Sequence, residues 1–239
     1  MTATRRSPAP DSRGTPIFIA LPSRIRTHGT RDSNRKEPLV KSITRTRGRA
    51  TARTKSRGKT GARRRSRPKL RREFADYIRK IDTYRGGRPA MPLLRTGPGK
   101  IARAVQGLTP SQVRRRPARG KWSISEIVGH LLDTEIVYGF RCRMALSESG
   151  RPVQAYNQTV WTETLRHRRR SVPRTVAQIQ LLRKINLELV GSVPRRTWKR
   201  YGEHPERGRE TVRRTLELVA GHDLNHLDQI QAIKKKFGW

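Results

Sequence analysis

The longest helical pattern in the chain covers residues 211–233, which hold no proline. Val212, Val219, His226 and Ile233 recur every seven residues there, and Thr215, His222 and Gln229 form the neighbouring row. That spacing predicts an amphipathic helix with two histidines, one turn apart, on its inward face. A second long helix begins at Ser123, because Ser123 with Glu126 three residues later makes a capping box. It should run through Ile127, Val128, Leu131, Tyr138 and Cys142 to about Leu146. A third covers residues 175–190 on Val176, Ile179, Leu182, Ile185 and Leu189, stopped by Gly191 and Pro194. Shorter helices are expected over 72–84 and 100–108, separated by Gly86-Gly87, Pro89 and Gly97-Pro98-Gly99. Thr109-Pro110-Ser111 starts another turn, and Arg114-Arg115-Arg116-Pro117 reads as solvated loop. Residues 147–174 contain Gly150, Pro152 and Pro173 and make a long crossover. No stretch alternates like a strand and no repeat is present, so the fold class is all-α: a four-helix bundle with a long crossover between its second and third helices.

Composition divides the chain. Residues 1–72 hold 23 lysines and arginines against 3 acids, with Phe18 as their one aromatic; the remainder holds 33 against 15 and every Trp and Tyr. The first part has too little apolar surface to offset chain ordering. The expectation is a disordered Arg/Lys-rich arm over 1–70, followed by one domain over 71–239. The arm fits three origins: a nucleic-acid-binding tail, a transit peptide, or upstream sequence translated from a start codon placed too early. No aromatics interleave with its charges, so the stacking platforms of a single-strand binder are missing. A single cysteine, Cys142, excludes an internal disulfide and suits a reducing compartment. No apolar run approaches a membrane span, and residues 17–21 are too short for a signal-peptide core. A cytoplasmic protein without a membrane partner is expected.

Three histidines fall on inward or border helix positions: His130, His222 and His226. Taken alone, His130 is more often a core-edge histidine, and an H-x3-H pair on a helix is common. Together they could hold one divalent ion, and three neutral imidazoles leave it an open position for a water or thiol. Asp133 or Asp223 could accept the second ring N–H of a ligand histidine. Asp133, Glu135 and Gln229 are the residues placed to assist or to face a substrate. His167, among arginines, is expected to be exposed, and His204, beside a proline in a loop, to be structural or exposed. Tyr156 and Trp161 suit either a lid or an aromatic pin for the crossover.

The text Gly120-Lys121-Trp122-Ser123-Ile124-Ser125-Glu126-Ile127-Val128-Gly129-His130-Leu131-Leu132-Asp133-Thr134-Glu135 and the later Gly221-His222-Asp223-Leu224-Asn225-His226-Leu227-Asp228-Gln229 carry a resemblance. With the turn Gly202-Glu203-His204-Pro205-Glu206 and the aromatic loop ending at Trp161, the chain resembles the DinB/YfiT-like superfamily of four-helix-bundle metalloproteins over residues 71–233. The resemblance implies nickel or zinc on His130, His222 and His226. It also implies the chemistry of characterised relatives, which include low-molecular-weight thiol S-transferases and a mycothiol-dependent isomerase. Relatives often carry acids where this chain has Asn157, Gln158 and Thr159, a departure at the pocket. The reading that follows is a metal-dependent transferase or hydrolase acting on a small molecule, with a low-molecular-weight thiol as a candidate co-substrate. A homodimer is compatible with it. A nucleic-acid-binding protein using the arm, and a bundle whose metal is structural, are the alternatives.

Overall fold

The computed structural model describes residues 72–239; the basic arm expected over 1–70 lies outside the described residues. Seven helices follow: α1 (Arg72–Arg85), α2 (Ala90–Val105), α3 (Pro110–Arg114), α4 (Ile124–Ser147), α5 (Gln158–Thr164), α6 (Val172–Gly191) and α7 (Val212–Phe237). α2 and α4 each pack on both α6 and α7, so they occupy opposite corners of a four-helix bundle, and α1 lies along α7. Two neighbouring pairs run parallel. Glu135 meets Arg183 and Gly139 approaches Asn186, so α4 and α6 advance together. Gly97 faces Asp223 and Ala104 meets Lys234, so α2 and α7 do the same. A short turn joins only antiparallel helices, which is why residues 148–171 must carry the chain back along the bundle.

The capping box at α4 forms as the sequence requires. Ser123 Oγ accepts the Glu126 N–H, and Glu126 Oε2 accepts the Ser123 N–H at 2.8 Å. Arg116, expected in solvated loop, reaches in to clasp the same carboxylate. α3 closes a second capping box between Thr109 and Gln112.

Three features differ from the sequence expectation. The first is α2, which starts at Ala90 and runs straight through Gly97-Pro98-Gly99. Pro98 has no N–H for the Leu94 carbonyl one turn earlier. Arg183 supplies the missing donor, its Nη1 lying 2.9 Å from Leu94 O. A Cβ on Gly97 would sit 2.8 Å from Asp223 Oδ2, so glycine is what lets α2 approach this ion group. The second is the core stripe of α6. It runs Val172, Val176, Ile179, Arg183, Asn186, Val190, while Ile185 is 40% exposed. The third is a two-stranded antiparallel hairpin, β1 (Tyr201–His204) with β2 (Gly208–Thr211), where a turn was expected. Four-residue strands are too short to show alternation. The hairpin anchors the start of the crossover through Val153 N to Glu203 O (3.0 Å) and Gly150 N to Tyr201 O (2.7 Å).

The core has two apolar clusters. One gathers Ile101, Ile124, Ile127, Leu131, Val176, Ile179 and Ile230; the other gathers Leu94, Tyr138, Cys142, Val190, Trp198 and Leu216. A polar layer separates them along α4, α6 and α7, and the histidines lie in it.

Candidate metal centre

α7 sets His222 and His226 one turn apart on its inward side, and α4 brings His130 across to meet them. His222 Nε2 is 3.0 Å from His130 Nε2 and 3.1 Å from His226 Nε2. All three ligand nitrogens lie within 4.8 Å of one another. Nitrogens bound at about 2.0–2.1 Å to one ion stand roughly 3 Å apart, so the spacing fits a shared ion. Hydrogen bonding among the rings alone does not satisfy them: the buried Nδ1 atoms of His130 and His222 have no partner among the described residues. His226 Nδ1 faces Gln229 Oε1 at 3.0 Å. That contact makes Nδ1 the donor and turns the Nε2 lone pair toward the other two rings.

Electrostatics favour the ligand form. Burial depresses His226 to about 4, with Lys80 pushing the same way and Gln229 opposing. Burial and the neighbouring rings hold His130 and His222 well below 6.5. A neutral imidazole is what binds a metal. Trp122 lies over the cluster, its ring 5.0 Å from that of His130 and stacked 6.4 Å from that of His226.

A pocket of about 1060 Å³, including the solvent at its mouth, opens beside His130 and His222. α4 lines it with His130, Thr134, Tyr138 and Arg141, α1 with Tyr77 and Ile81, and the crossover with Tyr156 and Gln158. The hairpin closes the far end with His204, Arg207 and Glu210. His204 is buried, not exposed, and its Nδ1 accepts the backbone N–H groups of Glu206 and Arg207. Burial and the Arg207 charge lower its pKa to about 3.

The other expected site residues take different places. Asp133 does not reach a ligand histidine; its Oδ2 lies 2.6 Å from His167 Nε2. His167 is fully buried despite its arginine neighbours. Gly129 opens the slot for its ring, which a Cβ would strike. Asp223 and Glu135 both converge on Arg183, Asp223 at 2.8 Å from Nη2 and Glu135 at 2.9 Å from Nε. Asn186 donates to the Glu135 carbonyl at 3.0 Å. Asp133 turns toward the crossover, and Glu135 and Asp223 turn toward Arg183 on α6. Gln229 alone of the expected assisting residues touches a cluster histidine. Asn157 caps α5, its Oδ1 accepting from Thr159 and Val160, while Tyr156 packs on Trp161 at 4.6 Å and also lines the pocket. Cys142 is buried, and burial raises its thiol to about 12, which removes it as a nucleophile. Arg141 and Arg207 were not singled out as pocket residues from sequence. For Arg141 the signal was its spacing from His130 and Thr134 on one face of α4.

Comparison with known proteins gives concordant matches. A curated relative from Bacillus cereus (strain 03BB102), described as a candidate metal-dependent hydrolase, is 23% identical over 142 residues, covering 59% of this chain and 82% of its own. A relative from Bacillus mycoides (strain KBAB4) with the same description matches at 23% over the same shares. The structure of YfiT from Bacillus subtilis is described as a probable metal-dependent hydrolase with an unusual four-helix bundle topology. It superposes with a TM-score of 0.59 and 23% identity, over 67% of this chain and 89% of that one. The family model of the DinB superfamily matches residues 93–230, which hold all three clustered histidines. The chain belongs to the DinB superfamily.

Proposed function

We propose that this protein is a divalent-metal-dependent enzyme acting on a small molecule, with the ion held by His130, His222 and His226. The observation that carries the reading is the convergence of three Nε2 atoms, from two helices, beside an open pocket. A divalent ion bound there supplies a Lewis acid and lowers the pKa of a water or thiol beside it. The chain's own residues do the rest. Gln229 fixes the ring of His226, Trp122 covers one side of the cluster, and the pocket admits a substrate from the side of His130 and His222. Hydrolysis is the reaction the relatives' names support; transfer of a low-molecular-weight thiol is the second chemistry this site suits. Metal analysis tests the reading. Wild-type protein should carry or take up about one nickel or zinc per chain, and the His222→Ala/His226→Ala double variant none. Wild-type protein that elutes metal-free and resists loading would end it.

A separate observation favours a polyanion partner. Arg114, Arg168 and Arg169 surround a surface cleft that no acidic residue lines among the described residues. A nucleic acid held there, with or without residues 1–70, would show affinity falling steeply with salt. Flat salt dependence would remove that partner.

A further inference from the structure

The pocket has a second chemical pole. His130, Thr134, Tyr138 and Arg141 follow one another at helical spacing on α4, and all four line the pocket. Eleven residues at about 1.5 Å each separate the backbones of His130 and Arg141 by roughly 16 Å along the helix. The histidines therefore stand at one end and a guanidinium toward the other.

Arg141 is poorly compensated. Its Nη2 donates to the Gln154 carbonyl at 2.6 Å. Its Nε is shut away from solvent and has no acceptor among the described residues. Among the described residues no carboxylate lies within ion-pair distance of it. Glu210 is held by Arg207 at 2.5 Å and by Thr215 at 3.2 Å. Glu206 also lines the pocket, and among the described residues no ion pair holds it. Burial works against the Arg141 charge and the like charge of Arg207 adds to it, while Glu210, Tyr156 and Glu206 oppose only in part. A partly buried cation without a direct ion pair is costly, and an arriving anion reduces that cost.

We propose that Arg141 is the anchor for a carboxylate on the substrate, and that the pocket selects small organic acids whose reacting group reaches the histidines. The inference rests on the proposed metal site for the reacting end only. A guanidinium presents paired N–H donors that match a planar carboxylate. Glu206 and Glu210 in the same pocket disfavour a dianion such as phosphate.

The test follows the arginine Nε–Hε signals of the full chain by NMR, with the Arg141 signal assigned by its loss in Arg141→Lys. Propionate is titrated against propionamide, its neutral counterpart, and against inorganic phosphate, into both zinc-loaded wild type and the His222→Ala/His226→Ala variant. Propionate should move the Arg141 signal saturably in both proteins, and propionamide should leave it in place. Affinity should fall about 10-fold or more in Arg141→Met, the loss of a charged hydrogen bond. An unchanged Arg183 signal shows that each variant remains folded, and Arg141→Gln serves if the Met variant does not. Because the double variant lacks the proposed metal ligands, failure of the metal reading leaves this arm intact. The proposal is overturned if propionate leaves Arg141 unmoved. It is equally overturned if propionamide or phosphate binds as well, or if propionate binding needs zinc and survives Arg141→Met.

Discussion

His226 is aimed by a neighbour on its own helix. With Gln229 accepting from Nδ1, the ring has one tautomer and one orientation before any ion arrives. Neither His130 nor His222 has such a partner, so the cluster is braced at a single corner. Removing that brace should loosen the ion without unfolding the helix, since Gln229 is only partly buried. Gln229→Leu is expected to weaken metal affinity about 10–100-fold, as losses of ligand-orienting contacts do. Competition with a chromophoric chelator measures it, with helicity as the control. Unchanged affinity would mean that packing against Trp122 already holds the ring.

Among the elements, α2 and α6 are where sequence and structure part, and both partings come from one buried group. Arg183 is 2% exposed, yet it reaches Glu135, Asp223 and the Leu94 carbonyl. The helical period of α4 and α7, the capping box at Ser123 and the inward rows holding His130, His222 and His226 were legible because apolar residues mark the core face. In α6 the core face passes through Arg183 and Asn186, so the apolar residues chosen from sequence included the exposed Ile185. In α2 the Gly-Pro-Gly that reads as a break is a socket for the same arginine. Long-range polar pairing leaves no periodic trace, and for that reason the contact of His167 with Asp133 was hidden too. The group predicts its own sensitivity. Arg183→Met leaves two carboxylates buried without their cation, where burial already raises the pKa of both against the pull of Arg183. Breaking such a pair costs about 3–5 kcal/mol, which urea unfolding of the metal-free protein should resolve. Gly97→Ala, which drives a methyl into Asp223, should destabilise in the same direction. A loss below about 1 kcal/mol for Arg183→Met would show that water reaches the layer.

Across the whole molecule, the polar layer makes stability depend on pH with a definite sign. His226 at about 4 and His204 at about 3 are depressed below the 6.5 of an unfolded histidine, and His130 and His222 are well below it. Between pH 6.5 and 4 the unfolded chain therefore binds protons that the folded chain refuses. Stability rises with pH wherever the unfolded state holds more protons, so it must fall as pH drops through this window. Glu210 acts in the same direction lower down: burial raises it, but Arg207 and Arg141 hold it below 4.5, so its contribution is lost under acid. Glu135 and Asp223 oppose, because burial lifts both and protonation relieves them. Several histidines outweigh two carboxylates that Arg183 already compensates in part. The urea midpoint of metal-free protein should accordingly be level above pH 7 and fall steadily from pH 6.5 to 4. A bound ion should steepen that fall, since protons compete for the same nitrogens. The His222→Ala/His226→Ala variant should flatten it by removing two of the four histidines. A midpoint that holds from pH 7 to 4.5 would mean that the imidazoles take up protons in the fold as readily as in the unfolded chain, so burial would not be keeping the cluster in its neutral, metal-binding form.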